Sequence, residues 1–465
     1  MSYLSETLTP GVNPMDVQSE DQGNTSRMLL WIVLVGLAIR LGVALLFAPP
    51  LFSDDIDYVA IGKLLARGGG YLLDGSPTAY RPPGYPYFLS LFFRLFGDSL
   101  TPVRLAQAAF DMVSCLLVFS IGRKLFDDRV GLIAAGIFAF FPMQILYVSI
   151  MMTETLFTVT FLGVVRICME SRITTRRALL GGLVLGVGTL IRPTLLLLPC
   201  ALFAGRWGRR ESLRLDLRAF LLMGAVCLVV LLPWLIRNEE QFGRLTLTSN
   251  TGVNFWMGNH PGASGSYSWP PQNPLDHIGD EIARSDLGMK LGMEFIRDHP
   301  LLALETLPKK WAHFFAVDYW LLMSMEVQPD FREIANAGIV FGRLSWFNIL
   351  LTHLPFVAVL LLCALGALAR PPGEGVKILY LLSPVAYWLL VHMAFYAGAR
   401  YRFPVNPLLM IGAAYGTVLL LRRKCIWTRA RRLAFAALTV LFLSGWIAER
   451  VMINARAATS TSSHA

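Results

Sequence analysis

Long apolar runs alternate along the chain with short basic loops and mixed polar stretches. The runs fall at 28–48, 103–121, 130–141, 153–167, 178–204, 219–236, 346–369, 376–397, 403–421 and 433–448. A helix crossing a hydrocarbon core of about 30 Å needs roughly twenty apolar residues. Inside lipid such a run must satisfy its own backbone polar groups, which a helix does. Strands of a membrane β-barrel would be about ten residues long and alternate in polarity, a pattern not seen here. The pattern therefore predicts an all-α polytopic membrane protein. Pro49-Pro50 and Pro142 stop their runs, because proline cannot continue the helical hydrogen-bond ladder. The 178–204 run is broken at Arg192-Pro193 and is too short for two crossings of about twenty residues each. A short hairpin is expected there, which brings the total to about eleven transmembrane helices.

The polar stretches divide the chain further. Residues 1–27 are polar and lack the basic start and apolar core of a cleaved signal peptide, so a disordered cytoplasmic tail is expected. An N-terminal transmembrane module spans 28–236 and contains a long first outer loop at 49–100, with amphipathic helices expected at 56–66 and 85–96. Residues 237–343, rich in acids, prolines and tryptophans, form the expected small periplasmic domain. C-terminal transmembrane helices fill 344–450, and 451–465 is a tail. Within the middle domain a short helix is expected over 286–297.

Composition adds sidedness. The chain has 465 residues, of which 55% are hydrophobic and 15% charged, against about a quarter charged in a soluble protein. The net charge of +10 does not call for nucleic acid, because the Lys and Arg residues gather in short loops between apolar runs. The loops at 123–129, 170–177, 206–218 and 422–432 are basic, and the positive-inside rule puts them in the cytoplasm. That leaves 51–99, 143–152, 237–343 and 397–401 outside. None of the six cysteines lies in an outer segment and no CxxC pair occurs, so neither disulfides nor a cysteine metal site is expected.

The candidate chemistry lies in the outer loops. Asp54, Asp55 and Asp57 crowd the start of the first loop, with Tyr58 beside them. A carboxylate there can accept the proton of an attacking hydroxyl, although aspartates at a helix start equally serve as caps. Arg81, in Arg81-Pro82-Pro83-Gly84, is a guanidinium on a rigid turn, suited to two-point contact with a phosphate or to lipid headgroups. Arg400 and Arg402, and likewise Arg237, sit outside against the positive-inside trend. An anionic ligand would explain them, as would snorkelling to the interface. Arg40, Arg104, Asp111 and Arg192 lie in or near apolar runs and are expected to pair within the bundle, Arg104 with Asp111 being one candidate, with a donor-phosphate role for one of the four as the alternative. Trp256, Trp269, Trp311 and Trp320 can stack on sugars or sit at the membrane interface, the latter being the expectation.

Taken in order, these motifs resemble the GT-C type of membrane glycosyltransferase, in particular the bacterial aminoarabinose transferases of lipid A and the protein O-mannosyltransferases. The resemblance covers about 29–421. It is carried by Asp54-Asp55-Ile56-Asp57-Tyr58, Arg81-Pro82-Pro83, Thr153-Glu154, Pro233-Trp234-Leu235-Ile236-Arg237-Asn238, the stretch from Asn254 to Gly262, and Arg400-Tyr401-Arg402-Phe403-Pro404. It implies a GT-C-like fold and a polyprenyl-phosphate sugar donor in place of a nucleotide sugar. It makes Asp54 the catalytic carboxylate, with the adjacent Asp55 as rival, and it has Arg81, Arg400 and Arg402 hold the donor phosphate. Tyr58, Glu154 and Arg237 join the substrate-binding set. The acceptor would be an envelope lipid, glycan or protein, reached from the periplasmic face of a bacterial inner membrane and surrounded by membrane lipids. No cofactor is required, with a divalent cation left open, and His260 and His277 do not make a zinc site. Two departures stand out: the basic residue before the two prolines is Arg rather than Lys, and the outer domain is small. The alternative function is a transporter or flippase of a lipid-linked sugar, whose site would lie at mid-membrane on broken, repeat-related helices.

Overall fold

The structure, a computed structural model, describes residues 14–51, 53–204, 213–270, 272–318, 321–322, 325 and 346–444. Residues 1–13 of the expected tail, residues 206–212 of one basic loop, Trp320, residues 326–343 of the expected middle domain and residues 445–465 lie outside the described residues.

The chain opens with α1 (Pro14–Leu46), so half of the stretch expected as a tail is helical. The first loop then forms α2 (Asp54–Ala66), a two-residue-strand hairpin β1 (Leu72–Leu73) and β2 (Ser76–Pro77), and α3 (Gly84–Phe96). The two helices stand where the amphipathic pattern put them. In the hairpin Leu72 pairs with Pro77 and Leu73 with Ser76. Asp74 and Gly75 turn the chain with φ of 49° and 82°, the left-handed pair that a tight Asp-Gly hairpin needs. Next come α4 (Thr101–Leu125), α5 (Asp128–Ala139), α6 (Pro142–Tyr147), α7 (Glu154–Cys168) and α8 (Thr175–Ile191), then a 3-10 turn at Pro193–Leu195, α9 (Leu198–Ala204) and α10 (Leu213–Phe242). The middle segment contributes α11 (Thr251–Gly258), α12 (Glu281–Asp298) and α13 (Pro300–Phe315). Asp280 caps α12 by accepting from the Ala283 amide at 2.6 Å, which starts that helix earlier than the expected 286. The chain closes with α14 (Trp346–Leu368), α15 (Gly375–Ala394), a 3-10 turn at Ala399–Arg402 and α16 (Asn406–Leu421), followed by helical residues 429–444.

The protein is a multi-pass membrane protein. Among the described residues five helical segments are long and apolar enough to cross a bilayer: Gln22–Leu46, Thr101–Leu125, Leu217–Phe242, Leu350–Leu368 and Gly375–Ala394. The other apolar helices are shorter. The 12 residues of α5 rise about 18 Å at 1.5 Å each, well short of a 30 Å core. Pro142 and Arg192-Pro193 divide apolar runs into such pieces, and the expected hairpin at 178–204 is the α8–turn–α9 unit.

Small residues set the closest helix contacts. A Cβ on Gly182 would lie 2.6 Å from the Met223 carbonyl oxygen, and one on Gly186 2.6 Å from Val230 Cβ, so these two glycines let α8 lie directly on α10. One buried ion pair joins two helices. Arg40 of α1 donates to Asp111 of α4 at 2.6 Å, both side chains fully buried, and to the Ala139 carbonyl at 2.7 Å. The expected Arg104–Asp111 pair does not form. Seven residues apart on one helix, they are separated by about 10.5 Å of rise, beyond the spacing at which side chains three or four apart meet. Arg104 instead donates to the Ser149 carbonyl at 3.2 Å.

Candidate active site

The start of α2 sorts its neighbouring acids. Asp55, 1% exposed, turns back over the helix start, where its Oδ1 accepts from the backbone amides of Ser53 at 2.8 Å and Ile56 at 3.0 Å. It ties the chain entering the helix, through the Ser53 amide, to the first turn, where the Ile56 amide also donates to the Ser53 carbonyl at 3.0 Å. Asp54 has no such duty and projects the other way. Its Oδ1 accepts from Arg81 at 2.9 Å and its Oδ2 from Arg400 at 2.7 Å. Asp57, one turn on, accepts from Arg81 Nε at 2.9 Å and from a terminal nitrogen at 2.8 Å. Arg81 is thus held by two carboxylates, with Tyr58 and Tyr80 ring centroids 5.6 Å and 5.0 Å from its Cζ. Its backbone is fixed from behind, where the Tyr71 hydroxyl donates to the Arg81 carbonyl at 2.8 Å just before the Pro82-Pro83 turn into α3.

Arg400 arrives from the far end of the chain, on the 3-10 turn after α15. The same guanidinium nitrogen that reaches Asp54 lies 3.0 Å from the Tyr401 hydroxyl. That hydroxyl is 2.9 Å from the Tyr396 hydroxyl, and the Tyr401 ring stacks on His392 with centroids 4.7 Å apart. A second ion pair lies behind this ring. Arg192, at the break after α8, donates to Thr153 Oγ1 at 2.8 Å and to Glu154 at 2.5 Å, with its Cζ 5.9 Å from the Tyr401 ring centroid. Glu154 is fully buried. Three carboxylates, Asp54, Asp57 and Glu154, and three guanidiniums, Arg81, Arg192 and Arg400, therefore balance within one cluster.

The electrostatics follow from that balance. Burial alone would raise the Asp54 carboxyl, but the Arg400 and Arg81 cations and their hydrogen bonds outweigh it and hold the group well below the usual carboxylate range. Burial likewise opposes charge on Arg81, yet Asp54, Tyr58 and Asp57 together keep its cation more firmly protonated than usual. Burial pushes the Tyr58 hydroxyl up to about 12, so it stays a neutral donor at ordinary pH.

Of the residues singled out from the sequence, Asp54, Tyr58, Arg81 and Arg400 meet at one point. Glu154 belongs to the adjoining pair through Arg192. Asp55 ties down the start of its helix. Arg237 donates to the Thr78 carbonyl at 2.8 Å and the Tyr71 carbonyl at 3.0 Å, under the Trp234 ring, and so pins the hairpin of the first loop rather than facing Asp54. Arg402, 1% exposed, donates to the Phe314 carbonyl at 3.0 Å and the Ala316 carbonyl at 2.5 Å, with Phe356 beneath it. It ties α13 to the turn, away from Asp54. Tyr396 and Tyr401 carry no signal of their own in the sequence, and Arg192 stands out only as one of four charges in apolar runs, at a proline break. Trp256, expected at the interface, is buried and donates to Asn273 at 3.2 Å. The ring nitrogens of His260 face the Pro261 and Ser268 carbonyls. Among the described residues no group of three or more His, Cys, Asp or Glu side chains gathers as a metal site.

The profile of the dolichyl-phosphate-mannose-protein mannosyltransferase family matches residues 80–236, about a third of the chain. That stretch includes Arg81, Glu154 and Arg192 and ends before Arg400. The likeness to GT-C type membrane glycosyltransferases is borne out by this match, over the residues it spans. No curated protein matches. Among solved structures, the oligosaccharyltransferase of Archaeoglobus fulgidus with zinc and sulfate is similar at 14% identity and a TM-score of 0.49, over 89% of this chain and 52% of that one. The same organism's oligosaccharyltransferase AglB, with an inhibitory peptide and a dolichol-phosphate, is similar at 14% identity and a TM-score of 0.46, over 93% and 56%. ArnT from Cupriavidus metallidurans, bound to undecaprenyl phosphate, is similar at 18% identity and a TM-score of 0.44, over 85% and 77%. The chain spans about half the length of the archaeal oligosaccharyltransferases it matches.

Proposed function

We propose that this protein transfers a glycosyl residue from a polyprenyl-phosphate-linked sugar to a hydroxyl or amine of an envelope acceptor, on the periplasmic face of a bacterial inner membrane. The observation that carries this is Asp54 held between Arg81 and Arg400 at the start of α2. A carboxylate between two guanidiniums has the parts that transfer from a lipid phosphate needs: a base for the acceptor and cations for the leaving group. The family match supports the donor class, since its members are named for a dolichyl-phosphate sugar.

In the proposed reaction the donor phosphate takes Arg81 and Arg400 away from Asp54 and occupies their forks. Freed of its cations, Asp54 recovers basicity and faces the acceptor. The acceptor oxygen or nitrogen attacks the anomeric carbon opposite the phosphate, and Asp54 takes its proton. The carbon–phosphate-oxygen bond breaks with its electron pair on the departing polyprenyl phosphate, whose charge the two arginines hold. One displacement of this kind inverts the anomeric configuration. No acid is needed on the leaving side, because the phosphate leaves already ionised. No cofactor is assigned to the step. Arg192 and Glu154 keep the Tyr401 side of the cluster in place.

The test is mass spectrometry of envelope lipids and glycans from a strain lacking the protein, with complementation by wild type and by Asp54→Asn. A substituent that disappears, returns with wild type and stays absent with Asp54→Asn is the expected result. An unchanged envelope, or full complementation by Asp54→Asn, would overturn the assignment. Transport of a lipid-linked sugar in sealed vesicles without any covalent product would replace it.

A further inference from the structure

Arg400 reaches Asp54 only if the six residues that follow α15 are aimed correctly, and the stretch from Asn254 to Gly262 lies against them. The last carbonyls of a helix have no partner within it. At the end of α15 two of these are taken by the middle segment. Lys310 Nζ donates to the Met393 carbonyl at 3.0 Å, and Asn259 Nδ2 donates to the Ala394 carbonyl at 2.9 Å. Lys310 also donates to Asn259 Oδ1 at 3.0 Å, and the second Asn259 amide hydrogen goes to the Phe255 carbonyl at 2.9 Å. The Asn259 amide is thereby used on both sides and held in one orientation.

The backbones on either side are equally close. A Cβ on Gly258 would lie 1.9 Å from the Phe395 carbonyl oxygen, so only glycine lets α11 touch the chain there. Gly265 has φ of +85°, and a Cβ on it would lie 2.8 Å from the Lys310 amide nitrogen. Its carbonyl accepts from the Ala397 amide at 3.0 Å. Residues 393, 394, 395 and 397 are therefore each gripped from the middle segment. The next residues carry the grip forward: the Tyr396 hydroxyl meets the Tyr401 hydroxyl, and Tyr401 meets Arg400.

Lys310 is a costly group to place here. It is 1% exposed, and its two acceptors are an amide and a backbone carbonyl rather than a carboxylate. Burial pushes its ammonium down to about 8. Buried charge without a counter-ion is destabilising, while a cation at a helix C-terminus is favoured by the helix dipole. An apolar residue would fill the same space without the first effect.

We propose that Asn259 and Lys310 are positioning residues that lock the end of α15 so that Arg400 is presented to the donor phosphate, which makes the middle segment the part that sets the geometry of the phosphate site. This rests on the glycosyl-transfer function proposed above. Neither residue touches substrate; both act through Arg400.

The experiment measures binding of undecaprenyl phosphate to the purified full-length protein for wild type, Lys310→Met, Asn259→Asp, Arg400→Ala and the double variant Lys310→Met/Arg400→Ala. Lys310→Met keeps the stem and removes the ammonium. Asn259→Asp keeps a partner for Lys310 and loses the donor to Ala394, so it provides a folded reading if Lys310→Met does not fold. The expected result is that Lys310→Met and Asn259→Asp keep wild-type thermal unfolding within a few degrees and bind undecaprenyl phosphate about tenfold more weakly. In the double variant the two losses should fail to add, because both remove the same Arg400 contact. A purely structural role would leave binding by the folded protein unchanged or make the two losses additive, and either outcome overturns the inference. If Arg400→Ala itself does not alter binding, it is the proposed phosphate site that fails.

Discussion

Arg400 and Asp54 lie 346 positions apart in the chain and 2.7 Å apart in space. Asp54 follows α1 and Arg400 follows α15, so the contact ties together segments from near the two ends of the described chain. Arg81 completes the grip from within the same loop as Asp54. Asp54 thus holds the two guanidiniums that the proposed function assigns to the donor phosphate, and the predictions for Asp54, Arg400 and the pH profile follow from that proposed exchange of one anion for another.

Replacing Asp54 by Asn should separate binding from transfer. The carboxylate competes with phosphate for Arg81 and Arg400, so Asp54→Asn should bind undecaprenyl phosphate as tightly as wild type or more so. Transfer should fall by about 10²–10⁴-fold, the usual contribution of a positioned base. Equilibrium binding beside single-turnover transfer checks both halves, and weaker binding would argue against competition at this site.

Asp55→Asn should be nearly silent in transfer. Asn keeps an acceptor oxygen of the same shape, and the bonds from Ser53 and Ile56 need only that. Asp55→Ala should instead cost about 1 kcal/mol of stability, the net worth of such hydrogen bonds. Initial rates and thermal unfolding distinguish the two, and a dead Asp55→Asn enzyme with an active Asp54→Asn would reverse the assignment of the base.

The two nearby arginines should fail in different ways. Arg400→Ala removes the charged donor proposed for the phosphate, worth about 1.5–3 kcal/mol, or roughly 10–150-fold in donor affinity. Arg402→Ala removes bonds to the Phe314 and Ala316 carbonyls and should lower thermal stability while leaving donor affinity of the folded protein unchanged. Isothermal binding and unfolding curves on both variants test the contrast.

The acid limb of the pH profile should differ between free and donor-bound enzyme. The folded-state value of Asp54 is depressed, so its ionised form adds stability above the unfolded value of about 3.9, and that contribution is lost only as pH falls through the lower folded value. Asp54 therefore stays ionised in the free enzyme across the ordinary carboxylate range and gives kcat/KM no acid limb there. If the donor phosphate engages the two arginines as proposed, the Asp54 carboxyl loses its cations and rises toward its ordinary range. The acid limb of kcat, which reports the bound enzyme, should then lie at higher pH than that of kcat/KM. Coincident limbs would exclude the exchange of anions.

Glu154→Gln should destabilise the protein by about 3 kcal/mol, because removing one member of a buried ion pair strands the other. The Arg192–Glu154 pair has side-chain exposures of 16% and 0%. Replacing both by apolar residues of similar size should recover part of the loss. Denaturant midpoints of the single and double variants measure it, and a Glu154→Gln protein of wild-type stability would refute the pairing.

The hydrophobic pattern by itself determined that the chain is a helical membrane protein, that the first loop carries two helices, and that an apolar run breaks at Arg192. These are local properties: apolar run length, proline, and a period of 3.6 residues all act within a few turns of chain. The acids and arginines of the site were also visible as types in unusual places. Their division of labour was decided only by tertiary structure. Asp54 and Asp55 are adjacent, but successive helix positions point about 100° apart, so one faces the arginines and the other faces the helix start. Arg400 and Arg402 share one short turn, yet one meets Asp54 and the other meets the carbonyls after α13. Arg40 rather than Arg104 took Asp111, because the partner had to come from another helix. Which side chain faces which across dozens or hundreds of residues depends on how the helices pack, and no pattern confined to one segment contains that information.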